Sequence, residues 1–133
     1  MRALRLPIFL FPAAFALIVF LAHLPYLGLP YFWDELGQFV PAALDILRDG
    51  AWIPHSTVPN AHPPAVMGYL ALIWRIAGYS IAATRTAMLA LAVAAVIFTY
   101  FLARKLSGIQ TAALFAILFL LVDPLFYTQS MLA

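Results

Sequence analysis

This chain consists of several long apolar runs and one long polar stretch, which follows the first run. Residues 6–24 are apolar except for one histidine, residues 82–103 carry one arginine, and residues 109–122 carry no charge. Runs of this kind are typical of helices that cross a bilayer of roughly 30 Å. A fourth run, residues 64–74, is too short for a full crossing and is typical of a re-entrant or interfacial helix. The pattern predicts an all-α fold, a polytopic membrane helix bundle.

The polar stretch, residues 28–64, contains four of the five acidic residues and two of the three histidines. Its first part has apolar residues at helical spacing, which predicts a short amphipathic helix on the membrane surface, with most polar residues off the apolar face. Pro41 starts or kinks this helix, and Gly50 is a candidate C-terminal cap. The predicted apolar face consists of Leu36, Phe39, Val40, Ala43, Leu44 and Leu47.

The positions of basic residues predict the topology. Arg2 and Arg5 precede the first apolar run, and Arg104-Lys105 follow the run 82–103. The positive-inside rule places both groups in the cytoplasm and the loop 28–64 on the outer face of the cytoplasmic membrane. Residues 65–80 then make no simple crossing; the alternative, in which they cross and Arg104-Lys105 lie outside, stays open. The first run is interpreted as an uncleaved anchor rather than a signal peptide, because it exceeds the usual length.

Composition narrows the class of protein. The chain of 133 residues is 66% hydrophobic and 9% charged, with a net charge of +2 and no cysteine. Such a chain cannot cover a water-facing surface, and its scattered basic residues predict no nucleic-acid partner. Without cysteine there is no disulfide or thiolate chemistry. We expect one membrane domain, with residues 1–27 as the first membrane helix, 28–64 as the outer loop, and 65–133 as re-entrant or membrane helices.

Four residues are candidates for chemistry. Asp34 and Glu35 follow the aromatic segment Tyr31-Phe32-Trp33, where partial desolvation would make a carboxylate a better base; a hydrated loop is the alternative. Asp34 lies closer to the first helix and is the preferred base, whereas Glu35 would point to solvent or to a supporting contact. His62, before two prolines, is either a cation for a phosphate or an exposed loop histidine. Arg85 either binds a phosphate or reaches lipid headgroups. Arg75, His55 and Asp123 are interpreted as interface residues.

Several short segments, taken in order, resemble GT-C glycosyltransferases, in particular the protein O-mannosyltransferase and aminoarabinose transferase group with its bacterial Rgt-like enzymes. No single segment is specific, but their order and spacing match over nearly the whole chain. The segments are Trp33-Asp34-Glu35, Arg48-Asp49-Gly50-Ala51-Trp52-Ile53-Pro54, His62-Pro63-Pro64, Ala83-Thr84-Arg85, Tyr100-Phe101-Leu102-Ala103-Arg104-Lys105-Leu106-Ser107-Gly108 and Asp123-Pro124-Leu125-Phe126-Tyr127-Thr128-Gln129-Ser130.

The resemblance implies an enzyme that moves a sugar from a polyprenyl-phosphate lipid to a lipid, glycan or protein acceptor outside the cytoplasmic membrane. It implies that Asp34 is the general base with Glu35 as its neighbour, and that His62 and Arg85 neutralise the phosphate leaving group. We expect no cofactor and identify no metal site; the sequence leaves open whether a divalent metal assists.

Members of that family have many more membrane helices and a second acidic residue shortly beyond the position where this sequence ends. The chain is therefore expected to be an N-terminal fragment that is inactive alone. The rival interpretation is a small non-enzymatic membrane protein, an accessory subunit whose outer loop binds a partner. Reading the downstream DNA for a continuing frame would distinguish the two.

Overall fold

A computed structural model describes residues 9–58 and 63–132. Within these ranges the chain is helical and has no β-strand. The first helix, α1, covers Leu10–His23 and continues into a 3₁₀ turn at Leu24–Tyr26. A π-helical turn at Glu35–Phe39 leads directly into the second helix. The helices after α1 are α2 (Val40–Asp49), α3 (Ala65–Ala77), α4 (Ile81–Ser107), α5 (Gln110–Val122) and α6 (Pro124–Gln129).

Two compact units make up the chain. The first comprises the described parts of Met1–Leu24 and Ala90–Ser130, and the second comprises Pro25–Leu89 with the described part of Met131–Ala133.

In the first unit, α1 packs against α5, and a buried histidine joins α1 to the end of the unit. His23 Nδ1 lies 2.7 Å from the carbonyl oxygen of Val19, and its Nε2 lies 2.8 Å from the hydroxyl of Ser130. The Ser130 hydroxyl donates to the Tyr127 carbonyl oxygen at 2.9 Å, and His23 Nε2 lies 3.2 Å from the same oxygen. This histidine, which the apolar pattern left without a role, therefore has hydrogen-bonding partners for both ring nitrogens.

In the second unit, α2 packs along α3, and the first turns of α4 complete the apolar core. Trp74 and Leu70 of α3 are almost fully buried there. The indole N–H of Trp74 donates to the Thr84 hydroxyl at 3.0 Å, so the large ring carries no unsatisfied polar atom. The buried residues of this core are Val40, Ala42, Ala43, Met67, Leu70, Trp74 and Ala87.

The predicted ends of α2 are confirmed. Pro41 is the second residue of α2, directly after the π-helical turn. Gly50 follows its last residue with φ +69°, a left-handed conformation that favours glycine. The Gly50 N–H donates to the Ile46 carbonyl oxygen at 3.1 Å, the five-to-one bond of an αL cap. The predicted apolar face holds for Val40 and Ala43, which are buried, but not for Leu36, which is exposed.

Among the described residues, one helix is long and apolar enough to cross a membrane. It is α4, with 27 residues and a mean hydropathy of 2.2 in its most apolar window. The apolar helices at Leu10–Tyr26, Ala65–Ala77 and Gln110–Val122 are shorter. The short length of the run 64–74 was expected, and the corresponding helix, α3, has 13 residues. The two other predicted crossings remain predictions.

Candidate functional site

The two adjacent acids occupy contrasting positions in the second unit. Asp34 directly precedes the π-helical turn and is exposed, whereas Glu35 is the first residue of that turn and is only 1% exposed. Consecutive residues of a helical turn point in directions roughly 100° apart, so one carboxylate can face outward while its neighbour faces the interior. The expectation that Asp34 would be the less hydrated of the two is reversed in this structure.

Glu35 is paired with Arg85 from the first turns of α4. Arg85 Nη1 lies 2.6 Å from Glu35 Oε1, and Nη2 lies 2.8 Å from Oε2, a bidentate arrangement of two parallel hydrogen bonds. The Phe32 N–H donates to the same Oε2 at 2.7 Å. Arg85 is itself 1% exposed. The two charges therefore compensate each other inside the protein, and the carboxylate also holds the backbone just before Asp34.

Every remaining donor of Arg85 is directed to a backbone carbonyl. Nη2 donates to Pro30 at 2.8 Å, Nη1 to Met131 at 2.9 Å, and Nε to Leu29 at 3.4 Å. A guanidinium has five N–H donors, so all five have an acceptor within the protein. Its carbon also lies 5.5 Å from the centre of the Tyr31 ring. A phosphate contact would require one of these hydrogen bonds to break.

Arg85 and Glu35 thus hold the loop that carries Asp34 through hydrogen bonds to its backbone. Three of its residues, Leu29, Pro30 and Phe32, bond to this pair through their backbone. The side chains of Phe32 and Trp33 in the same loop are exposed, Trp33 at 86%, and Leu36 is exposed on the following turn. Asp34 is therefore an exposed acid between residues with exposed apolar side chains, two residues after a backbone N–H that donates to Glu35.

A hydrogen bond between two hydroxyl groups also holds this loop. Tyr31 Oη lies 2.6 Å from Thr84 Oγ1, which donates to the Ser80 carbonyl oxygen at 3.0 Å. The Tyr31 hydroxyl also donates to the Ser80 carbonyl oxygen at 3.4 Å. Burial raises the pKa of Tyr31 to about 12. Tyr31 and Arg85 thus fasten neighbouring parts of the loop to the start of α4.

A second acidic centre lies at the other end of α2. Asp45 Oδ2 accepts from the Ser56 N–H at 3.0 Å, the His55 N–H at 2.9 Å and the Ser56 hydroxyl at 3.0 Å. Burial alone would raise the pKa of Asp45, but these hydrogen bonds lower it below its usual value. Asp45 therefore folds the irregular segment 51–58 back onto α2. The same segment reaches the π-helical turn, where the Thr57 hydroxyl donates to the Gly37 carbonyl oxygen.

The four predicted site residues have different outcomes. The structure brings Glu35 and Arg85 into direct contact and places Asp34 next to them on the outside of the loop. Glu35 thus has the supporting contact that was one of its two expected environments. His62 lies outside the described residues. His55 is exposed, with its imidazole Nε2 2.9 Å from Asp49 Oδ2, and its interface role stays a prediction.

Sequence reasoning missed the position of Asp45. Its spacing put it off the predicted apolar face of α2, and solvent exposure was the expected consequence. The signal that identifies such a residue is the following segment, where a serine and a histidine in an irregular stretch supply donors for a carboxylate. That signal is weak without knowledge of how the segment folds back.

Comparison with known proteins identifies no relative. No protein-family model, no curated protein and no solved structure matches the chain.

Proposed function

We propose that the chain provides the outer loop of a membrane glycosyltransferase, which transfers a sugar from a polyprenyl-phosphate lipid to an acceptor on the outer face of the cytoplasmic membrane. The observation that carries this proposal is the position of Asp34. An exposed carboxylate stands on a loop fixed by a buried bidentate ion pair, among exposed aromatic side chains. A general base needs both access to its substrate and a fixed position.

In the proposed reaction, Asp34 removes the proton from an acceptor hydroxyl as its oxygen attacks the anomeric carbon of the sugar. The bond from that carbon to the phosphate oxygen breaks, and the polyprenyl phosphate leaves with the bonding electrons. The displacement inverts the anomeric centre, because base and leaving group lie on opposite faces of the sugar. A cation is needed beside the leaving phosphate, and His62 is the residue assigned to that role by the resemblance.

Arg85 contributes indirectly in this scheme. Its five donors all have acceptors within the protein, so its effect on catalysis is to hold the loop that presents Asp34. The resemblance alone implies a different role, in which Arg85 contacts the phosphate directly. The two differ in outcome, because loss of a positioning residue weakens kcat, whereas loss of a phosphate contact weakens use of the lipid donor.

The proposal places the chain in the membrane as part of a polytopic bundle, with loop 28–64 outside. The 27 residues of α4 extend for about 40 Å, enough to cross the bilayer. Only 28% of the most apolar window of α4 is buried, so most of its apolar surface is available to lipid. The exposed Phe32 and Trp33 fit the depth of lipid headgroups, where aromatic side chains are favoured.

A second candidate function is a non-enzymatic membrane subunit whose outer loop binds a partner. The specific observation in its favour is that Arg85 has no donor left for a phosphate. Under this hypothesis the exposed side chains of Phe32, Trp33 and Leu36 contact the partner.

The test measures sugar transfer from polyprenyl-phosphate sugars in membranes containing the protein with any downstream continuation of its reading frame. Asp34→Asn keeps the size of the side chain but removes the base, so transfer should fall at least about a hundredfold. Glu35→Gln should cost less, and Gln38→Ala, an exposed neighbour, should leave transfer unchanged. No transfer from any donor, or near-normal transfer by Asp34→Asn, would reject the catalytic assignment.

Topology needs a separate measurement. Cysteine labelling from outside the cell should modify Ser56→Cys in loop 28–64 but not Ser107→Cys at the end of α4. The opposite labelling pattern would reject the proposed orientation.

A further inference from the structure

We infer that the end of α2 and the segment after it form a binding site for a divalent transition metal of the zinc class, with Asp45, Asp49 and His55 as its three protein ligands. One potential ligand atom from each residue lies within 4.8 Å of the other two. All three belong to the second unit. The inference does not depend on glycosyl transfer.

The geometry of the three atoms suits one ion. His55 Nε2 lies 2.9 Å from Asp49 Oδ2 and 3.7 Å from Asp45 Oδ1. A tetrahedral zinc ion with bonds of about 2.0 to 2.1 Å separates its ligand atoms by roughly 3.3 Å. Small movements of Asp49 and His55, whose side chains are both more than half exposed, would bring the set to that spacing.

The second observation is the unused oxygen of Asp45. Three donors converge on Oδ2, but within residues 9–58 and 63–132 none donates a hydrogen bond to Oδ1. The side chain is only 5% exposed, and Oδ1 lies 3.7 Å from His55 Nε2, too far for a hydrogen bond. A buried carboxylate oxygen without a donor is unfavourable unless a cation satisfies it. Oδ1 faces the place where the other two ligand atoms meet.

The charge distribution on α2 favours a cation at the same place. Asp45 and Asp49 are four residues apart and therefore adjacent on the helix surface, where like charges repel. They also lie in its last turns, where the negative end of the helix dipole disfavours acidic side chains. A bound divalent cation would reverse both effects. Hydrogen bonds from Ser56 and His55 already fix Asp45, as expected for a metal ligand.

The ligand types select the class of metal. Imidazole together with carboxylate is typical of zinc and neighbouring transition metals, whereas magnesium and calcium prefer sites made entirely of oxygen. With three protein ligands the fourth position would hold water. Binding would join the last turn of α2 to the segment 51–58.

The experiment measures Zn²⁺ binding by equilibrium dialysis of the purified, tag-free chain in detergent, with Mg²⁺ and Ca²⁺ in parallel. One Zn²⁺ per chain is expected, with affinity for Mg²⁺ and Ca²⁺ at least about tenfold weaker. His55→Gln and Asp49→Asn each remove an exposed ligand and should lower the affinity for Zn²⁺ at least about tenfold. Asp34→Asn, an exposed carboxylate elsewhere, is the matched control and should bind normally.

A thermal shift distinguishes this site from adventitious binding. Zn²⁺ should raise the unfolding temperature of the wild-type chain and of Asp34→Asn but not that of His55→Gln or Asp49→Asn, because a ligand that binds only the folded state stabilises it. Circular dichroism establishes that both ligand variants remain folded. Absence of Zn²⁺ binding by the wild-type chain, or unchanged affinity in either ligand variant, would overturn the inference.

Discussion

The two buried acids of the second unit, Glu35 and Asp45, are satisfied in different ways. Glu35 pairs bidentately with Arg85, a permanent cation 50 residues away in the sequence. Asp45 has no full cation among its described contacts and takes its hydrogen bonds from residues 55 and 56, about ten residues along the chain. The first centre joins distant segments of the unit, and the second shapes the chain close to itself. A substitution at the Glu35–Arg85 centre should therefore affect the stability of the whole unit, whereas one at Asp45 should affect mainly the nearby segment 51–58.

The largest effect is expected from Arg85→Met. The substitution leaves the Glu35 carboxylate buried without its cation and removes the donors of three backbone carbonyls, so the free energy of unfolding should fall by about 3 to 5 kcal/mol. Thermal or denaturant unfolding in detergent measures it. Arg75→Met is the matched control, because Arg75 is exposed, and should change stability by less than about 0.5 kcal/mol.

A double variant, Glu35→Met with Arg85→Met, examines the ion pair itself. Replacing a buried pair by apolar side chains is often nearly neutral. Here the double variant should regain only part of the unfolding free energy that Arg85→Met alone loses. The carbonyls of Leu29, Pro30 and Met131 still lack their donor. Full recovery would indicate that the backbone contacts of Arg85 contribute little and that the loop is held by other means.

Asp45→Asn should have the next largest effect. The amide retains one acceptor oxygen but loses the charge that strengthens three hydrogen bonds, a loss of about 1.5 to 3 kcal/mol in the free energy of unfolding. Hydrogen exchange should become faster at the amides of His55 and Ser56, while the amide of Phe32 at the Glu35 centre stays protected. Equal acceleration at both centres would contradict the view that Asp45 acts locally.

The difference between local and distant contacts also explains which features could be predicted from the sequence. Features set by neighbouring residues were predictable: the glycine cap of α2, the position of Pro41 and the short length of α3. The Glu35–Arg85 pair was not, because both residues were noted singly and no local pattern links positions 50 residues apart. The burial of Asp45 depends on segment 51–58 folding back over α2, which helical periodicity does not describe. Asp34 is exposed directly before a π-helical turn that the sequence pattern did not predict.

A smaller effect is expected from Tyr31→Phe, which removes the hydrogen bond to Thr84 beside the Arg85 centre. Stability near neutral pH should fall by about 0.5 to 1.5 kcal/mol. The pKa of Tyr31 is raised from 10.0 in the unfolded chain to about 12 in the folded protein. Its contribution is therefore fully present below pH 10 and is lost as the pH rises from about 10 to 12.

Unfolding measured at several alkaline pH values distinguishes this contribution. The stability difference between the wild-type chain and Tyr31→Phe should shrink across that range. A difference that does not change up to pH 12 would show that Tyr31 ionises equally in the folded and unfolded states.

The smallest change in stability is expected from Gly68→Ala in α3, which examines the apolar contact of segment 51–58. A Cβ at position 68 would lie 2.9 Å from the Cη2 atom of Trp52, too close to be accommodated without movement. Since Trp52 is 59% exposed, its ring tip can swing away. Alanine in a helix interior is favoured over glycine by about 1 kcal/mol, so the net change in unfolding free energy should be within about 1 kcal/mol of zero.

Trp52 should nevertheless report the substitution. Its fluorescence should change as the ring moves, while hydrogen exchange at His55 and Ser56 stays slow because Asp45 still holds their amides. Trp52→Phe in the Gly68→Ala background is the control that assigns the fluorescence signal to this ring. If exchange at His55 and Ser56 instead becomes as fast as in Asp45→Asn, the segment depends on the Trp52 contact as much as on the carboxylate, and the local role assigned to Asp45 is shared with the apolar contact.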